Sequence, residues 1–138
     1  MTGKSLHTVL IIEDSDTMRG FLRTCMQVFF PHIRVLEAVN GFDAIRLLPQ
    51  ESVDLIITDI NMPDVNGLEL IRFLKSHPRY GRIPVIIVST ERTERDRQRG
   101  LAMGAEAYLA KPFRPEVLIQ TVREIWHRVT QVSGEEHG

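Results

Sequence analysis

Residues 54 to 70 read DLIITDINMPDVNGLEL, an apolar run that ends on the bare carboxylate of Asp59, with Asn61 two residues later and a loop punctuated by proline and glycine beyond. Packing gives no reason to place charge there. Glu13 and Asp14 follow the apolar run Val9 to Ile12 in the same way, and Ser89, Thr90 and Lys111 close two further runs, Val85 to Val88 and Ala107 to Ala110. If the acids converge, two carboxylates ~5 Å apart repel by about 3 kcal/mol at an effective dielectric of ~20. Left alone, such a group would partly protonate. A divalent cation removes the penalty, and an all-oxygen ligand set favours a hard ion, magnesium rather than zinc. Magnesium keeps coordination positions open for a phosphoryl oxygen, and Lys111 supplies a mobile positive point charge opposite it. These residue types suit the holding of a phosphoryl dianion against three acids.

Such a pocket needs elements that bring the chain ends of the apolar runs together. The runs at Val9 to Ile12, Ile33 to Leu36, Leu55 to Thr58, Val85 to Val88 and, more weakly, Ala107 to Ala110 are continuous rather than alternating, as in parallel strands covered on both faces. Between them lie helical periodicities. Met18, Phe21, Leu22, Cys25, Met26 and Phe29 form one apolar face; Phe42, Ile45 and Leu48 predict a short second helix ended by Pro49. Leu68, Ile71 and Leu74 predict a third, the arginine-rich stretch Glu91 to Met103 a fourth, and Leu118, Val122, Ile125, Trp126 and Val129 a fifth. Strand then helix, five times, predicts an α/β open parallel sheet with right-handed crossovers. In such sheets ligands bind beyond the carboxyl ends of the strands, where every polar residue singled out above falls.

The bulk numbers narrow the rest. A chain of 138 residues suits one domain. Lys+Arg 17 against Asp+Glu 18 leaves a formal net charge of -1, so no overall field favours nucleic acid or an anionic membrane, and direct binding of either is not expected. Cys25 has no partner for an internal disulfide, as is usual in a reducing, cytoplasmic setting, and His7, His32, His77, His127 and His137 show no zinc spacing. No apolar stretch approaches the roughly 20 residues of a spanning helix. Residues 1–6 and 131–138 are expected to be flexible ends around a domain at 7–130.

EDS at 13 to 15, the 54-to-70 motif, PVIIVST at 84 to 90 and GAEAYLAKPF at 104 to 113 together resemble the receiver domain of two-component response regulators, of the chemotaxis-regulator kind, over about residues 7 to 129. The resemblance implies a doubly wound, flavodoxin-like sheet in the order 2-1-3-4-5 with five helices. It implies that Asp59 accepts a phosphoryl group from a histidine kinase or phosphotransfer protein, and that a downstream effector protein or output domain reads the result. Magnesium would be held by the carboxylates of Asp14 and Asp59, by the backbone carbonyl of Asn61, and by Glu13 through water. Lys111 would pair with the phosphoryl oxygens and precede a cis bond to Pro112. Ser89 and Tyr108 would act as the switch pair, Ser89 swinging inward and Tyr108 following. Thr90 departs from the Ala or Gly usual after the switch hydroxyl, whereas Asn61 with Glu91 looks like fast-hydrolysing receivers. The expected phosphorylated lifetime is seconds to minutes.

Plainer readings stand beside these. Ser15 or Asp16 can cap the first helix, with nearby acids favouring its first turn. Asp59 can be a turn residue and Lys111 a solvated one. Arg92, Arg95 and Arg99 share a face of the fourth helix, read as a wet surface balanced by Glu94 and Asp96, against a partner surface. A haloacid-dehalogenase-like phosphatase also uses a strand-tip aspartate and magnesium, but its second acid would fall at Asn61, which cannot donate a proton in that way. A degenerate receiver that only binds partners would be expected to lack an acid or the lysine.

Overall fold

The computed structural model describes residues 5–62 and 66–137, with side chains as far as residue 131. Five parallel strands, β1 (Thr8–Ile12), β2 (Arg34–Ala38), β3 (Leu55–Thr58), β4 (Val85–Ser89) and β5 (Ala107–Ala110), form one sheet in the order β2-β1-β3-β4-β5. The helices between and after them are α1 (Asp16–Phe29), α2 (Gly41–Leu47), α3 (Gly67–Ser76), α4 (Glu94–Ala102) and α5 (Pro115–His137).

Sequence pattern accounts for the layers. The central strands β1, β3 and β4 are buried along their whole length, and because successive side chains alternate in direction they supply both faces. Leu10, Ile12, Ile56 and Ile87 pack with Ala44 and Leu48 and with Leu70, Ile71 and Leu74 of α3. Val9, Ile11, Ile57 and Val88 pack with Leu22 and Met26 of α1 and Leu118, Val122 and Ile125 of α5. Helices α1 and α5 therefore cover one face and α2 to α4 the other.

Several details differ from the sequence reading. β2 starts one residue later and runs two further than expected, carrying Glu37 inside it; as an edge strand it is only partly buried and tolerates a charged residue. α4 starts at Glu94, because the Thr93 hydroxyl accepts from the Asp96 amide at 3.1 Å and caps the helix there. Arg92 thus lies outside the helix and does not share a face with Arg95 and Arg99. Phe42, expected on the buried face of α2, is 65% exposed, and Phe29 at the end of α1 is also outward. Pro49 falls within a single 3-10 turn, Leu48–Gln50, that continues α2. α5 runs on to His137, through a stretch with no proline to stop a helix. Of the expected N-terminal end, residues 1–4 lie outside the described residues.

Candidate functional site

Ladder hydrogen bonds carry the sheet one residue past its strand ends, and this is what sets the polar residues in place. In the β1–β3 register Ile12 lies beside Thr58, so Glu13 and Asp59 are neighbours. The Glu13 amide donates to the Ala38 carbonyl at 3.0 Å, and the Asp59 amide to the Ile12 carbonyl at 3.0 Å. At the other side Ser89 pairs with Ala110, and the Lys111 amide donates to the Ser89 carbonyl at 2.6 Å. Glu13, Asp59 and Lys111 thus each stand on backbone bonded into the sheet.

The side chains converge. Carboxylate oxygens of Glu13, Asp14 and Asp59 lie within 4.8 Å of one another. Glu13 is 1% exposed and Asp59 6%, while Asp14 faces solvent. Lys111 Nζ donates to Glu13 Oε1 at 2.7 Å and to Asp59 Oδ2 at 3.5 Å. The Asn61 amide donates to Asp59 Oδ1 at 3.1 Å, and the Ser15 amide to Glu13 Oε2 at 3.1 Å. Burial pushes the Glu13 carboxyl above the ordinary glutamate value, and the Lys111 hydrogen bond offsets part of that rise. The donor set is oxygen throughout, which fits a hard divalent cation such as magnesium. Two of its three carboxylates are buried, unlike those of an ordinary acidic surface patch.

Beside this pocket Ser89 is fully buried. Its hydroxyl accepts from the Glu91 amide at 3.0 Å and from Asn61 Nδ2 at 3.5 Å. Tyr108 is 9% exposed, its hydroxyl donating to the Glu91 carbonyl at 2.8 Å, and burial raises its pKa above the ordinary tyrosine value. The ring packs where α4 has Gly100: a Cβ there would come within 3.0 Å of Tyr108 Cδ2 and 2.6 Å of Ile87 Cδ1. Thr90 is exposed and Glu91 half-buried at the mouth. The Lys111–Pro112 bond is cis, as expected from the resemblance. Phe113 then sets its ring 5.9 Å from that of Phe21 in α1.

Two residues of the site escaped the sequence reading. Gly67 opens α3 against the β3 tip so tightly that a Cβ would lie 2.3 Å from Ile60 Cα and 2.6 Å from the Asp59 carbonyl oxygen. Its signal was a glycine at the start of a helix, where Asn66 already caps. Arg19 donates through Nη1 to the Glu13 carbonyl at 2.9 Å. Its signal was a cation in the first turn of a helix, a place the helix dipole disfavours.

A parallel sheet in this order, with three acids at the β1 and β3 tips facing a lysine from β5, defines a flavodoxin-like domain whose ligand edge is acidic. The response regulator receiver domain matches residues 9–123, and the chain belongs to that family, the receivers of two-component signalling. A chemotaxis protein CheY homolog of Campylobacter jejuni is 36% identical over 118 residues, covering 85% of this chain and 90% of that protein. Protein PilH of Pseudomonas aeruginosa is 38% identical over 117 residues, covering 85% of this chain and 95% of that one. The structure of the chemotaxis response regulator CheY4 of Vibrio cholerae superposes with a TM-score of 0.80 at 30% identity, over 88% of this chain and 99% of that one. Among the described residues no helix is long and apolar enough to cross a membrane.

Proposed function

We propose that the chain is a phosphorylatable switch of a cytoplasmic two-component phosphorelay. An Asp59 carboxylate oxygen attacks the phosphorus of a phosphohistidine on a histidine kinase or phosphotransfer protein. The new bond is P–O, the P–N bond breaks, and the imidazole nitrogen leaves with its electron pair and takes up a proton. The observation that carries this reading is the convergence of Lys111 on Glu13 and Asp59 in a pocket where three carboxylates share oxygens within 4.8 Å.

Glu13, Asp14 and Asp59, with the Asn61 carbonyl, would hold magnesium. When bound, it offsets the charge of the acids and of the incoming phosphoryl oxygens. The chain's own residues do the rest. The Asn61 amide fixes Asp59 Oδ1, leaving Oδ2 as the oxygen nearer Lys111. Lys111 then has a second anion to serve besides Glu13. Phosphorylation adds charge and acceptor oxygens at the β3 tip, and the Ser89 hydroxyl is the nearest donor on β4. The Ser89 hydroxyl accepts from the Glu91 amide and keeps its own O–H to donate, so a turn of Ser89 toward the phosphoryl group pulls on the loop that Tyr108 holds through the Glu91 carbonyl. The phosphoryl group therefore favours one loop arrangement over another, and the surface offered to an effector shifts with it. Thr90, Asn61 and Glu91 stand around the approach to Asp59 and tune how long the acyl phosphate survives.

The test is intact mass spectrometry after incubation with magnesium and acetyl phosphate. Wild-type protein should gain one phosphoryl group and Asp59→Asn none. Phosphate released catalytically with no adduct on Asp59 would point to a phosphatase instead, and an unmodified wild type to a binding module only.

A further inference from the structure

Arg19 is the fourth residue of α1, yet its side chain is only 15% exposed. Its guanidinium is spread over three elements. Nη1 donates to the Glu13 carbonyl past the end of β1 at 2.9 Å, Nε to Glu37 Oε1 in β2 at 3.1 Å, and Nη2 to Asp16 Oδ1 in the first turn of α1 at 2.5 Å. Arg23 donates to the same Glu37 oxygen at 3.0 Å, so the anchor is itself held from a second point. Only a planar fork of donors can serve three partners in three directions; an ammonium on a flexible stem cannot keep that geometry.

The carbonyl that Arg19 grips belongs to the peptide plane joining Glu13 to Asp14. The Glu13 amide is fixed by Ala38 and its carboxylate by Lys111 and Ser15. The direction of its carbonyl is what remains to be set, and that direction decides where Asp14 leaves the chain. Asp14 itself faces solvent, so burial does not orient it.

We propose that Arg19 is a positioning residue of the acidic pocket: through the Glu13 carbonyl it aims Asp14 toward Glu13 and Asp59, and so sets the pocket's affinity for magnesium. This rests on the reading above that the pocket takes magnesium. Arg19 makes no bond to the three carboxylates' converging oxygens; its action is on the backbone that carries them.

Geometry and charge predict opposite results. A nearby guanidinium repels a cation, so if charge alone mattered, its removal would tighten magnesium binding. If positioning matters, removal loosens it, as loss of a residue that orients metal ligands does by about tenfold or more. Calorimetric titration of the full chain with magnesium chloride separates them, with thermal melts to verify folding. Arg19→Met should bind about tenfold more weakly. Arg19→Lys, which keeps the charge and loses the fork, should also be weak, while Arg23→Met, which leaves the Glu13 carbonyl contact in place, should stay close to wild type. Affinity in Arg19→Met equal to or tighter than wild type would overturn the proposal, as would full recovery in Arg19→Lys. Should Arg19→Met not fold, Arg19→Lys alone decides by the same criterion. A wild-type chain that takes up no magnesium would overturn the underlying reading and this inference with it, an outcome distinct from a variant that binds as well as wild type.

Discussion

Lys111 Nζ stands 2.7 Å from Glu13 Oε1, while Asp59 Oδ2 is 3.5 Å away, so the lysine's nearer partner is the buried glutamate and not the proposed phosphoryl acceptor. In the unmodified chain Lys111 is above all the counter-charge of Glu13. A phosphoryl group arriving at Asp59 would meet a cation already held within reach by a second anion.

Removing that cation leaves two buried carboxylates without their partner. Deleting one member of a buried ion pair costs about 3–5 kcal/mol, and less here because the pocket opens to solvent at Asp14. Lys111→Met should lower the unfolding free energy by about 2 kcal/mol in metal-free buffer. Urea unfolding with and without magnesium checks this: the loss should shrink when the metal is present. An equal loss in both buffers would contradict the shared pocket.

The raised pKa of Glu13 makes metal binding sensitive to acid. Burial, the largest influence, favours the protonated form. A carboxyl raised in this way contributes most to folding below its ordinary value and loses that contribution as pH rises through the raised one. The metal-free chain therefore carries this penalty at neutral pH, and magnesium relieves it. As pH falls through the raised value, protons compete for the same oxygens. The gain in melting temperature on adding magnesium should be largest at neutral pH and shrink on acidification. A gain that stays constant over that range would exclude Glu13 from the site.

At Gly67 the constraint is steric. A Cβ 2.3 Å from Ile60 Cα and 2.6 Å from the Asp59 carbonyl meets backbone, which cannot turn aside as a side chain can. Gly67→Ala should destabilise by about 3 kcal/mol, the upper range for overpacking, and should reduce phosphoryl uptake by moving the β3 tip. Thermal melts and adduct yield read the two effects.

Tyr108→Phe keeps the ring and deletes the bond to the Glu91 carbonyl. The cost should be about 1 kcal/mol, and it should be local. Hydrogen exchange at the Glu91 amide, now held by Ser89 Oγ, should quicken while the β4 amides stay protected. Unchanged exchange at Glu91 would mean that Tyr108 does not hold the loop.

Much of this was legible in the chain itself. The spans Leu55 to Thr58 and Ala107 to Ala110 match the observed strands because continuous apolar runs flanked by polar residues have few other uses in a parallel sheet. The acids and Lys111 could be placed at strand tips for the same reason. What was not legible depended on neighbours. Glu37 lies within β2 because an edge strand lets it meet Arg19 and Arg23. The start of α4 was missed although Thr93 and Asp96, three apart, carry a capping signal. Phe42 fits an apolar periodicity and still points outward, since α2 is short and its buried contacts go through Ala44 and the following Leu48. Arg19 carried only the weak signal of a cation in a helix's first turn, because its partners are a carbonyl and two acids from three separate segments.

The most direct measurement compares the intact mass of wild-type chain incubated with acetyl phosphate in magnesium and in a chelator. The account predicts a single phosphoryl adduct with the metal and none without it. An adduct formed equally well in the chelator, or none in either, would contradict a site in which buried acids become a phosphoryl acceptor only when a hard cation joins Lys111.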